Sequence, residues 1–257
     1  MNDLEWIQIP ALTDNYSYVL ADKSSGVSAV IDPSEFEPVD HCLEARGIRP
    51  QFIFNTHHHW DHVGGNLELK QKYGSKLVTS AYDRDRVEGS TDSFDPSRMF
   101  TFGNHSFSIL EIPGHTLGHV ALWFQAAGYL FSGDTLFALG CGRLFEGSAT
   151  QMWSSLSKMA ALPDETLVLC AHEYTLKNSD FALALEPENL ELKQLRGLLA
   201  ERRSKGLSTV PTRLGHEKRL NPFLRCSQPA FKELLGLAGD TDPVEVFAHV
   251  RRLKDKF

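Results

Sequence analysis

Residues 55–65 read Asn55-Thr56-His57-His58-His59-Trp60-Asp61-His62-Val63-Gly64-Gly65, directly after the apolar run Phe52-Ile53-Phe54. Four of these eleven residues are histidines and one is an aspartate, a density that neither core packing nor a solvated face requires. In an extended or gently turning segment, alternate side chains point the same way. His57 and His59 can therefore converge on one ion while His58 faces elsewhere. Asp61 and His62 follow at a turn and can reach a second point nearby. Imidazole with carboxylate is the donor set of zinc and its first-row neighbours rather than of calcium.

Working outward, residues 51–54 form the strand that delivers the cluster, and 64–73 read as a helix stopped by Gly74. Short strands are expected at 4–9, 16–20, 27–31, 76–79, 107–112, 120–124, 129–131 and 166–170, with helices at 37–46 and 152–161. The polar, turn-rich stretch 84–100 carries no clear element. Beyond Tyr174 strand-like runs nearly vanish and helical spacing dominates 175–203, 230–237 and 243–253. The expected organisation is an α/β body over 1–173 followed by a mostly helical domain over 174–257. Alternating β and α elements argue for layered sheets covered by helices.

Composition narrows the function classes. The 257 residues are 42% apolar and 23% charged, ordinary for a globular chain with a buried core. A formal charge of −7 provides no general basic field, so nucleic acid is not an expected partner. The acidic start Met1-Asn2-Asp3-Leu4-Glu5-Trp6 lacks the layout of a signal peptide, and no apolar run approaches the roughly 20 residues of a membrane helix. Cys42, Cys141, Cys170 and Cys226 are widely spaced, without a C-x-x-C, as in a reduced cytoplasmic protein.

Three further candidates sit just after expected strands: His115 in Pro113-Gly114-His115-Thr116, Asp134 in Ser132-Gly133-Asp134-Thr135, and His172 in Ala171-His172-Glu173-Tyr174. Ligands at the ends of neighbouring strands can meet at one sheet edge, where α/β proteins place their sites. The pattern H-x-H-x-D-H with Asp32, His115, Asp134 and His172 resembles the metallo-β-lactamase superfamily. The stretches 56–62, 113–116, 133–137, 140–147, 172–175 and 251–255 are similar to the glyoxalase II (hydroxyacylglutathione hydrolase) family. The resemblance spans essentially the whole chain.

What the resemblance implies is specific. The fold would be an αββα sandwich with a C-terminal helical, glutathione-binding domain. His57, His59 and His115 would hold one metal; Asp61, His62 and His172 would hold the other; and Asp134 would bridge them. Asp32 would orient its neighbours without binding metal. Asp134, Asp61 and His62 would act in catalysis. Arg251 and Lys254, whose i, i+3 spacing puts them on one helical face, would grip the glycine carboxylate of glutathione. Tyr174 would contact the glutathione backbone, and Arg143 stands where some relatives have lysine. Phe145 departs from relatives with tyrosine.

Two cations sharing a carboxylate can lower the pKa of a held water toward about 7, which accounts for the absence of a G-x-S-x-G motif or an evidently activated cysteine. The expected reaction is hydrolysis of S-D-lactoylglutathione to glutathione and D-lactate, with two divalent ions, zinc first and iron or manganese next. The chain is expected to be a cytoplasmic monomer acting on a small molecule, without membrane or nucleic acid. The rival readings are a persulfide dioxygenase-like oxidoreductase with a single iron and another hydrolase of the same superfamily.

Overall fold

The computed structural model describes residues 3–257; Met1 and Asn2, part of the segment read above for a leader, lie outside them. The described residues divide into two compact units, those up to Glu111 with Leu117–Gly133, and Ile112–Thr116 with Asp134–Phe257.

The first unit opens with β1 (Leu4–Ala11), β2 (Asn15–Asp22), β3 (Ser28–Ile31), α1 (Phe36–Arg46) and β4 (Phe52–Phe54). There follow α2 (Trp60–Val63), α3 (Asn66–Tyr73), β5 (Lys76–Ser80) and β6 (Asp92–Phe94). The strands form one sheet in the order β1-β2-β3-β4-β5-β6, antiparallel from β1 to β3 and parallel from β3 to β6. Next come β7 (Phe100–Phe102), β8 (His105–Glu111), β9 (Val120–Phe124) and β10 (Tyr129–Gly133), each antiparallel to the next.

The period of two along β2 and β4 sorts the side chains between two layers. Val19, Val30, Ile53 and Leu77 point one way and bury with Val39 and Leu43 of α1 and Leu69 of α3, all 0% exposed. Tyr18, Phe52 and Phe54 point the other way, onto the second group of strands. Tyr18 meets Phe131 edge-on at 5.4 Å, and Phe54 meets Phe107 at 5.6 Å. Phe107 in turn stacks on Phe124 at 4.6 Å. This aromatic layer between facing sheets is the sandwich core, each fully buried ring contributing roughly 1.5–3 kcal/mol.

The second unit contains β11 (Leu136–Phe137), β12 (Gly140–Cys141), α4 (Ala149–Ala160), β13 (Leu167–Cys170) and α5 (Thr175–Leu185). It continues with α6 (Leu190–Ser204), β14 (Thr212–Arg213), α7 (Leu214–Leu220), α8 (Pro229–Leu234) and α9 (Pro243–Lys256). Leu139, Ala182, Leu192, Leu199 and Leu220 form an apolar cluster, and Phe223 packs against Phe181 and Phe247. Among the described residues no helix is long and apolar enough to cross a membrane.

Sequence spacing was coarser than the structure at three places. The helical stretch 175–203 is two helices, because Pro187 cannot continue α5 and Asn189 caps α6 by accepting from the Leu192 N–H at 3.1 Å. The stretch 84–100 supplies β6 and the start of β7, with Phe94 buried at 2% exposure; one inward residue in a three-residue strand leaves no alternation to read. The two-residue strands β11, β12 and β14 were equally invisible to periodicity.

Candidate metal centre

In the first unit the parallel strands β3 and β4 end side by side and release Asp32 and Asn55 into adjacent turns. Asp32, 2% exposed with φ 47, accepts the Thr56 N–H at 2.8 Å on Oδ1 and the Thr56 hydroxyl at 2.7 Å on Oδ2. Its Oδ2 also lies 3.2 Å from His62 Nδ1. A carboxylate can only accept, so that contact puts the His62 proton on Nδ1 and turns the bare Nε2 toward the site. His57 and His62 are both 0% exposed, with ring centroids 4.1 Å apart, and His59 lies 4.7 Å from His57. His58 turns away, its Nδ1 3.3 Å from Asp83 Oδ1 and its Nε2 2.7 Å from Arg86. Asn55 holds the far end of the loop by donating to the His62 carbonyl at 2.9 Å.

β10 ends at Gly133, whose φ of 49 aims the following residue, and a Cβ there would run into Thr56 Oγ1 and His119. In the second unit Asp134 follows, with Oδ2 3.5 Å from His115 Nε2 and 3.3 Å from His172 Nε2. His115 Nδ1 donates to the Arg143 carbonyl at 2.9 Å, which again leaves Nε2 for a ligand. Gly142 makes this return of the chain possible, because any side chain there would overlap the Asp134 carbonyl and press on His115 Nδ1. Tyr174 stacks on the His172 ring at 4.8 Å with planes 5° apart. Phe145, 63% exposed, stands edge-on to His115 at 5.2 Å.

Three groups among the described residues could each hold a metal ion: His57, His59 and His115; His57, His62 and Asp134; and Asp61, His62 and His172. The donor chemistry fits a first-row divalent ion: neutral imidazole nitrogens oriented by partners on their other nitrogen, with carboxylates for charge.

Of the residues expected at the substrate, Arg143 is exposed and Tyr174 half-buried. Arg251 is 6% exposed; it donates to the Cys141 carbonyl at 3.3 Å, pairs with Asp255 at 2.8 Å and lies over the Phe223 ring. Lys254 sits between the rings of Phe181 and Phe257 at 4.9 and 5.3 Å and donates to the Lys177 carbonyl at 3.3 Å. Burial first, and the charge of Arg251 next, push its pKa down to about 8. Burial likewise raises the Cys141 and Cys170 thiols to about 12. Sequence reading missed Asn15, which bonds Asp61, and the Asp83–Arg86 pair on His58. Isolated polar residues in turns carry no signal until the fold brings their partners near.

The fold and the donor set define a class. Residues 12–172 match the metallo-beta-lactamase superfamily, and the fold is similar to that of ETHE1 from Myxococcus xanthus, with a TM-score of 0.69 at 24% identity, covering 96% of this chain and 90% of that one. Residues 173–257 match the hydroxyacylglutathione hydrolase C-terminus. A hydroxyacylglutathione hydrolase of Methylococcus capsulatus is 51% identical over 99% of both chains, and one of Rhodospirillum rubrum is 47% identical over 100% of both. The chain belongs to the hydroxyacylglutathione hydrolase family of the metallo-β-lactamase superfamily.

Proposed function

We propose that this protein hydrolyses the thioester of S-D-lactoylglutathione to glutathione and D-lactate, using two divalent ions. His57, His59 and His115 would hold one ion, Asp61, His62 and His172 the other, with Asp134 shared. Zinc suits these donors, and iron or manganese could take the same places. When bound, such a pair supplies a water of lowered pKa and a Lewis acid for the carbonyl oxygen. The observation that carries this reading is the gathering of oriented imidazoles and carboxylates at strand ends, beside buried thiols too basic to serve as nucleophiles.

Residues 1–173 would form the catalytic domain and 174–257 the glutathione-binding domain, in a cytoplasmic monomer. Asp32 and the Arg143 carbonyl keep His62 and His115 in the tautomers that present Nε2. Asp134, Asp61 and His62 act at the reacting centre. Arg143, Tyr174, Arg251 and Lys254 bind the tripeptide. The thiolate product is a good leaving group, with a thiol pKa near 8.5, so no separate acid is required. The test is hydrolysis of S-D-lactoylglutathione by purified protein, with metal measured on the same sample. Rapid loss of thioester with about two ions per chain is the expected result. Full metal loading without hydrolysis overturns the substrate, and oxidation of a glutathione persulfide in its place makes the protein an oxidoreductase.

Lys254 gives a pH signature. An anionic carboxylate restores the charge that burial disfavours, so substrate binding weakens as pH rises through about 8 and the ammonium discharges. KM is expected to climb above pH 8 with kcat unchanged. Lys254→Met should raise KM at pH 7 by roughly 10-fold or more, the worth of one charge-assisted hydrogen bond, and flatten that limb. A KM within twofold of wild type would remove Lys254 from the site.

A further inference from the structure

Asn15 opens β2, opposite Ala11 in the β1 register, at the end of the turn Leu12-Thr13-Asp14. It is 5% exposed, and its side-chain amide Nδ2 lies 3.0 Å from Asp61 Oδ2 and 3.2 Å from the Asp61 backbone carbonyl. Both partners can only accept, so the amide must present its NH2 to them, and neither aspartate nor a second acceptor could replace it there. The turn carrying Asn15 is itself fastened: Leu12, at φ 50, donates its N–H to the Glu35 carboxylate at 2.6 Å. Asp61 is less buried than its neighbour His62, with 18% of its side chain exposed against 1%. A short carboxylate on a one-turn helix has rotamers that point into water, and the Asn15 amide is a donor that favours the inward one.

We propose that Asn15 is the positioning residue for Asp61, holding its carboxylate by hydrogen bond in the rotamer that sets Oδ2 3.6 Å from His62 Nε2, where a divalent cation would be shared. The inference rests on the two-ion reading above and adds a residue to it. Asn15 grips main chain and side chain of the same residue, which fixes both where Asp61 stands and which way it turns. Loss of such a partner weakens a metal ligand about 10- to 100-fold.

The experiment compares wild type with Asn15→Leu, which has nearly the same volume and no donor, and Asn15→Ser, a shorter donor. Each protein is stripped with chelator, its unfolding temperature is measured, and zinc is titrated back against a competing chelator. The expected result is similar unfolding temperatures for the stripped proteins, with the weaker of two zinc equivalents bound at least tenfold less tightly by Asn15→Leu and partly recovered in Asn15→Ser. Cobalt in place of zinc should show an altered visible spectrum for that equivalent alone. An Asn15→Leu protein that takes both equivalents with wild-type affinity overturns the inference while the two-ion reading stands. A stripped Asn15→Leu that unfolds far below stripped wild type makes Asn15 a structural residue and overturns it as well. A wild type that binds a single equivalent brings down the two-ion reading and this inference together, and wild type that binds two ions without cleaving the thioester removes only the substrate.

Discussion

Asp134→Ala is expected to lower thioester turnover on the order of 10³-fold or more and to leave the protein with fewer ions after dialysis. The residue stands at the end of β10, with His115 and His172 each within 3.5 Å of Oδ2. Two buried imidazoles facing one carboxylate become a poorer site for cations when that charge is removed, since Asp61 is then the one carboxylate left in the proposed donor set. Asp134→Asn keeps the shape and a carbonyl oxygen but no charge, so it should retain more metal than alanine while losing most of the turnover. Metal analysis and kcat on the same preparations check both. An Asp134→Ala enzyme with wild-type metal content and rate would overturn the shared-ligand assignment.

Glu217 should give the largest pH-dependent change in stability. It lies on α7, 1% exposed, and accepts from the Leu139 N–H at 2.7 Å, the Thr212 hydroxyl at 2.7 Å and the Asn221 amide at 3.0 Å. Leu139 has φ 56, so the carboxyl holds a strained turn between β11 and β12, the hairpin between Asp134 and Arg143. Burial outweighs these three donors and pushes the pKa up from 4.5 to about 7. Between those values the folded chain holds a proton that the unfolded chain has lost. The stabilisation is full below pH 4.5 and is lost as pH rises through 7, about 3 kcal/mol in all. Glu217→Gln keeps an acceptor for Leu139 and Asn221, and Thr212 can rotate to accept from the new amide. Its stability relative to wild type should therefore rise by about 3 kcal/mol between pH 4.5 and pH 8, measured by urea unfolding of chelator-stripped protein. Parallel curves for the two proteins would show that Glu217 does not titrate in this range.

Much of the candidate site is legible in the local sequence, and for a physical reason. The ligands follow strands, and a run such as Phe52-Ile53-Phe54 announces both the strand and its end, so His57 and His59 could be placed by period alone. His115, Asp134 and His172 each carry a turn residue or strand end beside them. The change to helical spacing after Tyr174 likewise marked where the composition of the fold changes. Pro187 is a local signal too, yet it was overridden by the longer helical pattern around it.

What the tertiary structure alone decided are the partners that act across distance in the chain. Asn15 meets Asp61 over 46 residues, Asp32 meets His62 over 30, and Glu217 meets Leu139 over 78. Arg251, expected from the resemblance to meet a substrate carboxylate, also donates to the Cys141 carbonyl 110 residues away. Sequence periodicity reports which way a side chain faces relative to its own element, because that depends only on local backbone geometry. It says nothing of what stands opposite, since that is set by how strands far apart in sequence come into register. So the sequence by itself determined the donor types, their strand-end positions and the α/β-to-helical order of the chain. The hydrogen bonds that choose a tautomer for His62, a rotamer for Asp61 and a protonation state for Glu217 came only with the fold.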